Sequence, residues 1–429
     1  MSVENNAFSG MPFHKVLTAA RENNAEAMEQ LAQLYLHGEG TAADPAEALR
    51  WQKKLIEHLE QSYTFATGEE RYRASSKYFF ALQDLCTIAG KAKAPAEQLS
   101  AAQKMLRLGR HERDTYMQHH AHSWLGHLAL DSGDTETARG HFEKELALTE
   151  EMAASGEGYN VRALSVCCNN MADLRRAEGE PAAARIWLEK ALPLDEKLAK
   201  DGAAYTKRTL VFSYNELANL CRRLGDNEAA RNYCRKAIAQ LETLTTTPEG
   251  RDLRRMQAEL TDMLGTLLMD SDRGAAAANC EKALHLRQTI LMEEPSLVAQ
   301  RDVACSYDSL GRLRRAAGDD AGAMTQYQKA AEIFESLLEQ TGSAGAMWDL
   351  ALNCDRQAYV CAAREDAAGA RALCEKALAL RESLYARTNA PSDRAQLIDD
   401  LERLERICSA MEDPAAAAGY AARAKALRD

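Results

Sequence analysis

The sequence predicts an all-α fold, a solenoid of antiparallel helical hairpins, and three observations carry that prediction. A helix–turn–helix pattern recurs at a near-constant period, apolar residues follow helical spacing, and no stretch reads as a strand. The unit is clearest over residues 306–330. Leu310, Leu313 and Ala317 recur at three- and four-residue spacing and give one apolar face, with Gly311 leaving room for a neighbouring helix. Gly318-Asp319 breaks the pattern, Gly suiting a helix end and Asp the cap of the next helix. Ala323, Tyr327 and Ala330 then form a second stripe. Stripes joined by so short a turn pack antiparallel.

In chain order, residues 1–12 lack periodicity and are expected to be a flexible tail, followed by a short helix from Phe13 to Arg21. Residues 13–62 read as a first helical repeat, with Leu31-Ala32, Tyr35, Gly38, Gly40, Asp44, Ala48 and Trp51 at its marked positions. Pro45 opens its second helix, where a missing N–H costs nothing, and that helix is expected to reach Gln61. Residues 63–116 read as a less regular hairpin. Tyr78, Leu82, Leu85 and Ile88 stripe its first helix, and Leu99, Ala102, Met105 and Leu106 its second, across an extended turn from Lys91 to Ala94.

Residues 117–429 read as seven long units. Their turn residues are Gly133, Gly179, Gly225, Asp272, Gly318, Glu365 and Glu412, at steps of 46, 46, 47, 46, 47 and 47 residues. Leu125, Met171, Leu217, Leu264, Leu310 and Leu404 each lie eight residues before their turn, and Ala138, Ala184, Ala230, Ala276, Ala370 and Ala417 follow it. Around Asp272 the second helix comes one residue early, so a shorter turn is expected there. Ser155-Gly156-Glu157-Gly158, Pro248-Glu249-Gly250 and Pro391-Ser392 read as linkers between units, with Arg251-Asp252-Leu253 opening a first helix. The alanine-rich segment from Pro414, carrying Arg423, Lys425 and Arg428, reads as a polar capping helix.

The spacing of Leu310-Gly311, Gly318-Asp319, Ala323, Tyr327 and Ala330 resembles the tetratricopeptide repeat (TPR) pattern. The family's units have about 34 residues. The longer period here resembles the long-helix TPR arrays of bacterial proteins, the extra length lying in the helices. One departure is the place that usually holds Tyr in the first helix, occupied by Arg175, Cys221 and Arg314. The pattern over residues 25–54 is similar to the Sel-one-like repeat, a TPR relative with a longer turn. These resemblances imply a TPR-like α-α superhelix and a binding role, but name no partner.

Composition narrows the classes. A formal charge of −11, from 53 basic and 64 acidic residues, argues against nucleic acid, since phosphates need a basic excess. No apolar run is long enough to span a membrane, and the first residues lack the charged-then-apolar pattern of a signal peptide. The eleven cysteines form no CxxC. Cys234, Cys280 and Cys374 share the Tyr327 position and are expected in the core as reduced thiols, which places the protein in the cytoplasm. Cys167-Cys168 are expected as one buried and one partly exposed thiol.

Nothing reads as catalytic. The P-loop, GxSxG, HExxH and kinase signatures are missing, so no enzyme, no cofactor and no metal are expected. Six of the ten histidines fall between residues 111 and 141. His119 and His122 are spaced to share a helix face, with His120 and His127 on a neighbouring one. A metal-dependent enzyme through this segment is the minor alternative, because no third ligand is evident. An exposed, weakly titrating cluster is the expectation.

In TPR arrays the first helices line a concave groove, at positions two and five either side of the marker Leu. This resemblance places Val166, Asn169, Asp173 and Arg176 in the groove, then Phe212, Asn215, Asn219 and Arg222, and then Cys305, Asp308, Arg312 and Arg315. Phe80 and Tyr359 are further groove-facing candidates. Asn is poor inside helices because its amide competes with the backbone, so its recurrence at equivalent places wants a reason. A side-chain amide can bond both polar groups of a peptide backbone, and Arg176, Arg222 and Arg315 can meet carboxylates. Alternatively, the amides bond across to neighbouring helices and the arginines pair with adjacent Glu and Asp. Three amide contacts at about 1 kcal/mol and three exposed pairs at about 0.5 each fall short of the ~8 kcal/mol of a micromolar complex. Apolar pockets would have to supply the rest.

The sequence therefore points to a scaffold binding a peptide or protein segment in a concave groove across residues 120–320. A peptide-sensing regulator acting through another protein is the alternative, and self-association through the end faces stays open.

Overall fold

The computed structural model describes residues 7–200, 202–246 and 248–428. Its contacts divide the chain into two compact units, Met1–Thr206 and Lys207–Asp429. The first unit contains α1 (Phe13–Arg21), α2 (Ala25–His37), α3 (Pro45–Phe65), α4 (Gly68–Lys91), α5 (Pro95–Glu112), α6 (Thr115–Asp131), α7 (Thr135–Ala153), α8 (Gly158–Ala177) and α9 (Pro181–Ala199). The second begins within α10 (Ala204–Arg223) and continues with α11 (Asn227–Leu244), a 3-10 helix (Pro248–Leu253), α12 (Arg254–Leu268) and α13 (Arg273–Glu293). It ends with α14 (Leu297–Ala316), α15 (Asp320–Thr341), α16 (Ala344–Ala363), α17 (Ala367–Thr388), α18 (Pro391–Ala410) and α19 (Pro414–Arg428). No strand occurs among the described residues, and the architecture is an all-α, TPR-like array of helical hairpins.

Local chemistry explains the boundaries. Asp134, Asp226, Asp272, Asp319, Asp366 and Asp413 each accept a backbone N–H three residues on, capping the second helix of a hairpin. The residue before the cap takes left-handed backbone angles at Gly133, Gly179, Gly225 and Gly318, where a missing Cβ makes them easy. Glu365 and Glu412 take the same conformation, at φ 60° and 59°, without that freedom.

Several local expectations change. The helix from Pro45 runs past Gln61 to Phe65. Pro391 is no linker but the first residue of α18, a place where proline forfeits no hydrogen bond. The residues from Pro248 to Leu253 form a 3-10 helix leading into α12, so Arg251-Asp252-Leu253 does not open that α-helix. Near Asp272, α13 does start one residue early relative to Leu264, yet the turn is not shorter, because α12 stops at Leu268. Half of the expected tail, residues 1–6, lies outside the described residues.

Packing inside several hairpins depends on matched sizes, although the α12–α13 hairpin pairs Gly265 with Cys280. A Cβ at Gly311 would sit 2.4 Å from the Tyr327 ring, and one at Gly126 would sit 2.3 Å from Phe142. The equivalent first-helix residues Ala172, Ala218 and Ala358 belong to hairpins whose second helices carry the smaller Leu188, Cys234 and Cys374, all buried. Cys167 and Cys168 are both buried, correcting the expectation of one partly exposed thiol; helical spacing turns one toward α7 and leaves the other still covered.

Candidate functional site

The first-helix faces hold the candidate residues, and the two units are taken separately. In the second unit, helical spacing places Phe212, Asn215, Asn219 and Arg222 along α10. Phe212 is 44% exposed, although large and aromatic, and Arg222, near the C-terminal end of the same helix, is exposed as well. The Asn219 amide donates to the Asn215 carbonyl at 3.0 Å and to its side-chain oxygen at 3.1 Å, so this amide pair bonds along its own helix, not across to a neighbour.

On α14, Arg312 and Arg315 are exposed and have no ion-pair partner among the described residues. The Arg315 guanidinium lies 5.3 Å from the centroid of the Tyr359 ring on α16, and that of Arg403 on α18 lies 5.3 Å from the same centroid. Tyr359 is 48% exposed. Cation–π attraction holds both guanidinium groups near the ring.

Asp308 departs from the expectation. It is 6% exposed, accepts from Asn353 at 3.2 Å and is ion-paired with Arg356. It does not offer a carboxylate to a partner. The reason is shared by its equivalents Asp262 and Asp355, which sit where one first helix faces the next. Asp262 takes Arg287 at 3.2 Å and Ser309 at 3.2 Å. Asp355 takes Arg381 and, at 2.6 Å, Arg403, while Arg381 also reaches Asp400 at 2.6 Å. Carboxylates removed from water need such partners. Sequence reasoning missed Asp262, Asp355 and Asn170 as structural polar residues. For Asp262 and Asp355 the available signal was the unbroken polar character of the position two before the marker; Asn170, one before its marker, carried no such signal.

In the first unit, Asn169 lies half-buried with no hydrogen-bond partner among the described residues, and Arg176 bonds Asp173 within the same helix at 2.6 Å. The amide that bonds across helices is the adjacent Asn170. It donates to Ser123 at 3.0 Å and to both oxygens of Glu145 at 3.0 and 3.1 Å, and accepts from His127 at 3.0 Å. Burial pushes the Glu145 carboxyl up to about 7.

The histidine segment is not the exposed cluster expected. His119 and His122 are buried, since α6 packs between α5 and α7 and turns these positions inward. Burial holds His119 down at about 3, with His120 adding to the effect, and His120 at about 4. His122 lies with its Nδ1 2.9 Å from that of His141, one ring donating to the other. Burial first, and then His141, Lys144 and Arg110, lower it to about 4. Among the described residues, no group of three or more His, Cys, Asp or Glu side chains is placed to hold a metal ion. Beside this segment, Phe80 and Val166 are 44% and 46% exposed at equivalent positions of α4 and α8. No helix is long and apolar enough to cross a membrane.

Comparison with known proteins bears on the fold. Residues 213–239 match a model of the tetratricopeptide repeat. The curated proteins include no matching sequence. Among solved structures, the signal transduction ATPase with numerous domains that carries a tetratricopeptide repeat sensor, from Pyrococcus horikoshii, aligns at 11% identity and a TM-score of 0.51. The alignment covers 87% of this chain and 52% of that one, so the chain spans about half of that protein's length. BtubC from P. vanneervenii aligns at 20% identity and a TM-score of 0.45, over 57% of this chain and 89% of that one. The quorum sensor NprR from B. thuringiensis aligns at 12% and 0.44, over 84% and 99%. The chain carries a tetratricopeptide repeat and folds as a TPR-like helical-repeat protein.

Proposed function

We propose that this protein is a non-catalytic scaffold that holds a peptide or protein segment against its first-helix faces. The observation carrying the proposal is the exposure of large apolar side chains at equivalent first-helix positions. Phe80, Val166 and Phe212 stand five residues before their markers, and Tyr359 two after the matching place. Each leaves apolar surface in water that packing within the array does not use. Along α10 from Phe212, Asn215, Asn219 and Arg222 supply polar groups, as recognition of a backbone and a carboxylate would need. Eleven free thiols, ten of them buried, favour a reducing compartment, and we place the protein in the cytoplasm. Residues 13–62 are read as a Sel-one-like repeat and residues 117–429 as seven long TPR-like units.

Photo-crosslinking from an unnatural side chain introduced in place of Phe212 tests this reading. A discrete crosslinked protein partner is expected, and it should disappear when Asn215, Asn219 and Arg222 are all alanine. Equal capture by that triple variant would move the site off α10.

A further inference from the structure

A row of ion pairs runs from α12 to α18. Asp262, Asp308, Asp355 and Asp400 are matched by Arg287, Arg356, Arg381 and Arg403, four carboxylates against four guanidinium groups. Arg312 and Arg315 stand outside that row, one helical turn apart on α14, exposed and without an ion pair among the described residues. Between them and the second helix of the hairpin, Tyr327 is buried beneath α14 against Gly311. Tyr359 adds a half-exposed ring against which Arg315 and Arg403 are held, which limits the freedom of the Arg315 fork.

Two exposed guanidinium groups within one helical turn, neither held in an ion pair among the described residues, set the ligand chemistry they would take. A single carboxylate would leave one charge unmatched. A phosphoryl group brings about −1.5 to −2 and three acceptor oxygens on one compact centre, and guanidinium forks bind such oxygens in pairs. We propose that Arg312 and Arg315, with Tyr359 and Arg403 alongside, seat a phosphorylated side chain of the partner segment. The proposal rests on the scaffold reading above and specifies its ligand chemistry in the second unit.

Fluorescence anisotropy of the full chain tests it, using a labelled peptide pool of degenerate sequence with a fixed central phosphoserine. Matched pools carry serine or Glu-Glu at the same place, and inorganic phosphate serves as competitor. The phosphoserine pool should bind at least tenfold more tightly than the serine pool. Arg312→Gln/Arg315→Gln should abolish that preference with an unchanged circular-dichroism melt, whereas Arg315→Lys should retain part of it. Displacement only by inorganic phosphate, with no difference between peptide pools, would overturn the proposal. Equal binding of the serine pool, or an undiminished preference in the double variant, would do the same. A Glu-Glu pool that binds as well as phosphoserine would replace the phosphoryl ligand by paired carboxylates. Partner capture from position 212 that persists without any phosphoserine preference would sink this inference alone and leave the scaffold reading standing. A phosphoserine preference without capture sensitive to Asn215, Asn219 and Arg222 would do the reverse.

Discussion

Gly311 of α14 lies directly under the ring of Tyr327 of α15, so close that a Cβ there would meet Cε1 at 2.4 Å. Gly311→Ala should therefore cost about 1–3 kcal/mol, the usual penalty for overpacking. Two other hairpins show the remedy, since Ala358 occurs with Cys374 and Ala218 with Cys234. Urea denaturation should find Gly311→Ala/Tyr327→Cys more stable than Gly311→Ala alone. A double variant less stable than the single would refute the size-matching account.

Glu365 offers the opposite change. It holds φ at 60° in a place where Gly318 holds 80°. Its side chain is exposed, so little but the backbone conformation is at stake. Glu365→Gly should stabilise the protein by about 0.5–1 kcal/mol, reduced by the greater freedom glycine brings to the unfolded chain. Thermal melting decides the sign.

Asp400 is buried and paired with Arg381, whose other partner is Asp355. Removing one member of a buried ion pair commonly costs about 3–5 kcal/mol, and Asp400→Ala should fall in that range. Ser306 stands at the equivalent position opposite Arg287 and donates no charge, accepting its N–H at 2.7 Å. Asp400→Ser should accordingly cost less than Asp400→Ala. Denaturation midpoints followed through Trp348 would rank the two.

The histidines of α6 make the first unit sensitive to acid. An unfolded chain protonates them near the ordinary value of 6.5, whereas the folded chain holds His119 neutral to about 3 and His120 and His122 to about 4. Between those limits the unfolded state binds more protons, so stability falls as pH drops from 6.5 toward 4. Glu145 acts in the other direction. It keeps a proton up to about 7 when folded, against 4.5 in its ordinary state, and so favours folding on acidification across that interval. Asp84, raised by burial to about 6, and Glu29, also raised by burial, act as Glu145 does, while His141 joins the lowered histidines. The four histidines, His119 displaced furthest, outweigh the three carboxyls and leave a net loss. Hydrogen exchange at α6, corrected for intrinsic rates, should be faster at pH 5 than at pH 7, and His122→Gln should reduce the difference. Equal protection at both values would contradict this.

Which face of its helix each candidate residue occupies was legible in the sequence, but not which of them the fold itself engages. Periodicity places Arg312, Arg315 and Asp308 on one face of α14, because helical spacing alone sets direction. It does not reveal that Asp308 is claimed by Asn353 and Arg356, residues 45 and 48 positions on. Nor does it distinguish Asn169 from Asn170, adjacent residues of which only the second bonds across to α6 and α7. The buried histidines were misread for a related reason. A polar, aromatic-rich helix shows little amphipathic contrast, so its inward face is hidden until α5 and α7 are packed on it.

By itself, then, the sequence determined the hairpins, because apolar spacing, aspartate caps and small residues at close approaches are local signals repeated every 46 or 47 residues. Only the tertiary structure decided which charges remain available. Ion pairing joins residues of successive hairpins, and burial removes some carboxylates from water while leaving Arg312 and Arg315 in it. That balance depends on distances between helices, which no spacing within one helix encodes.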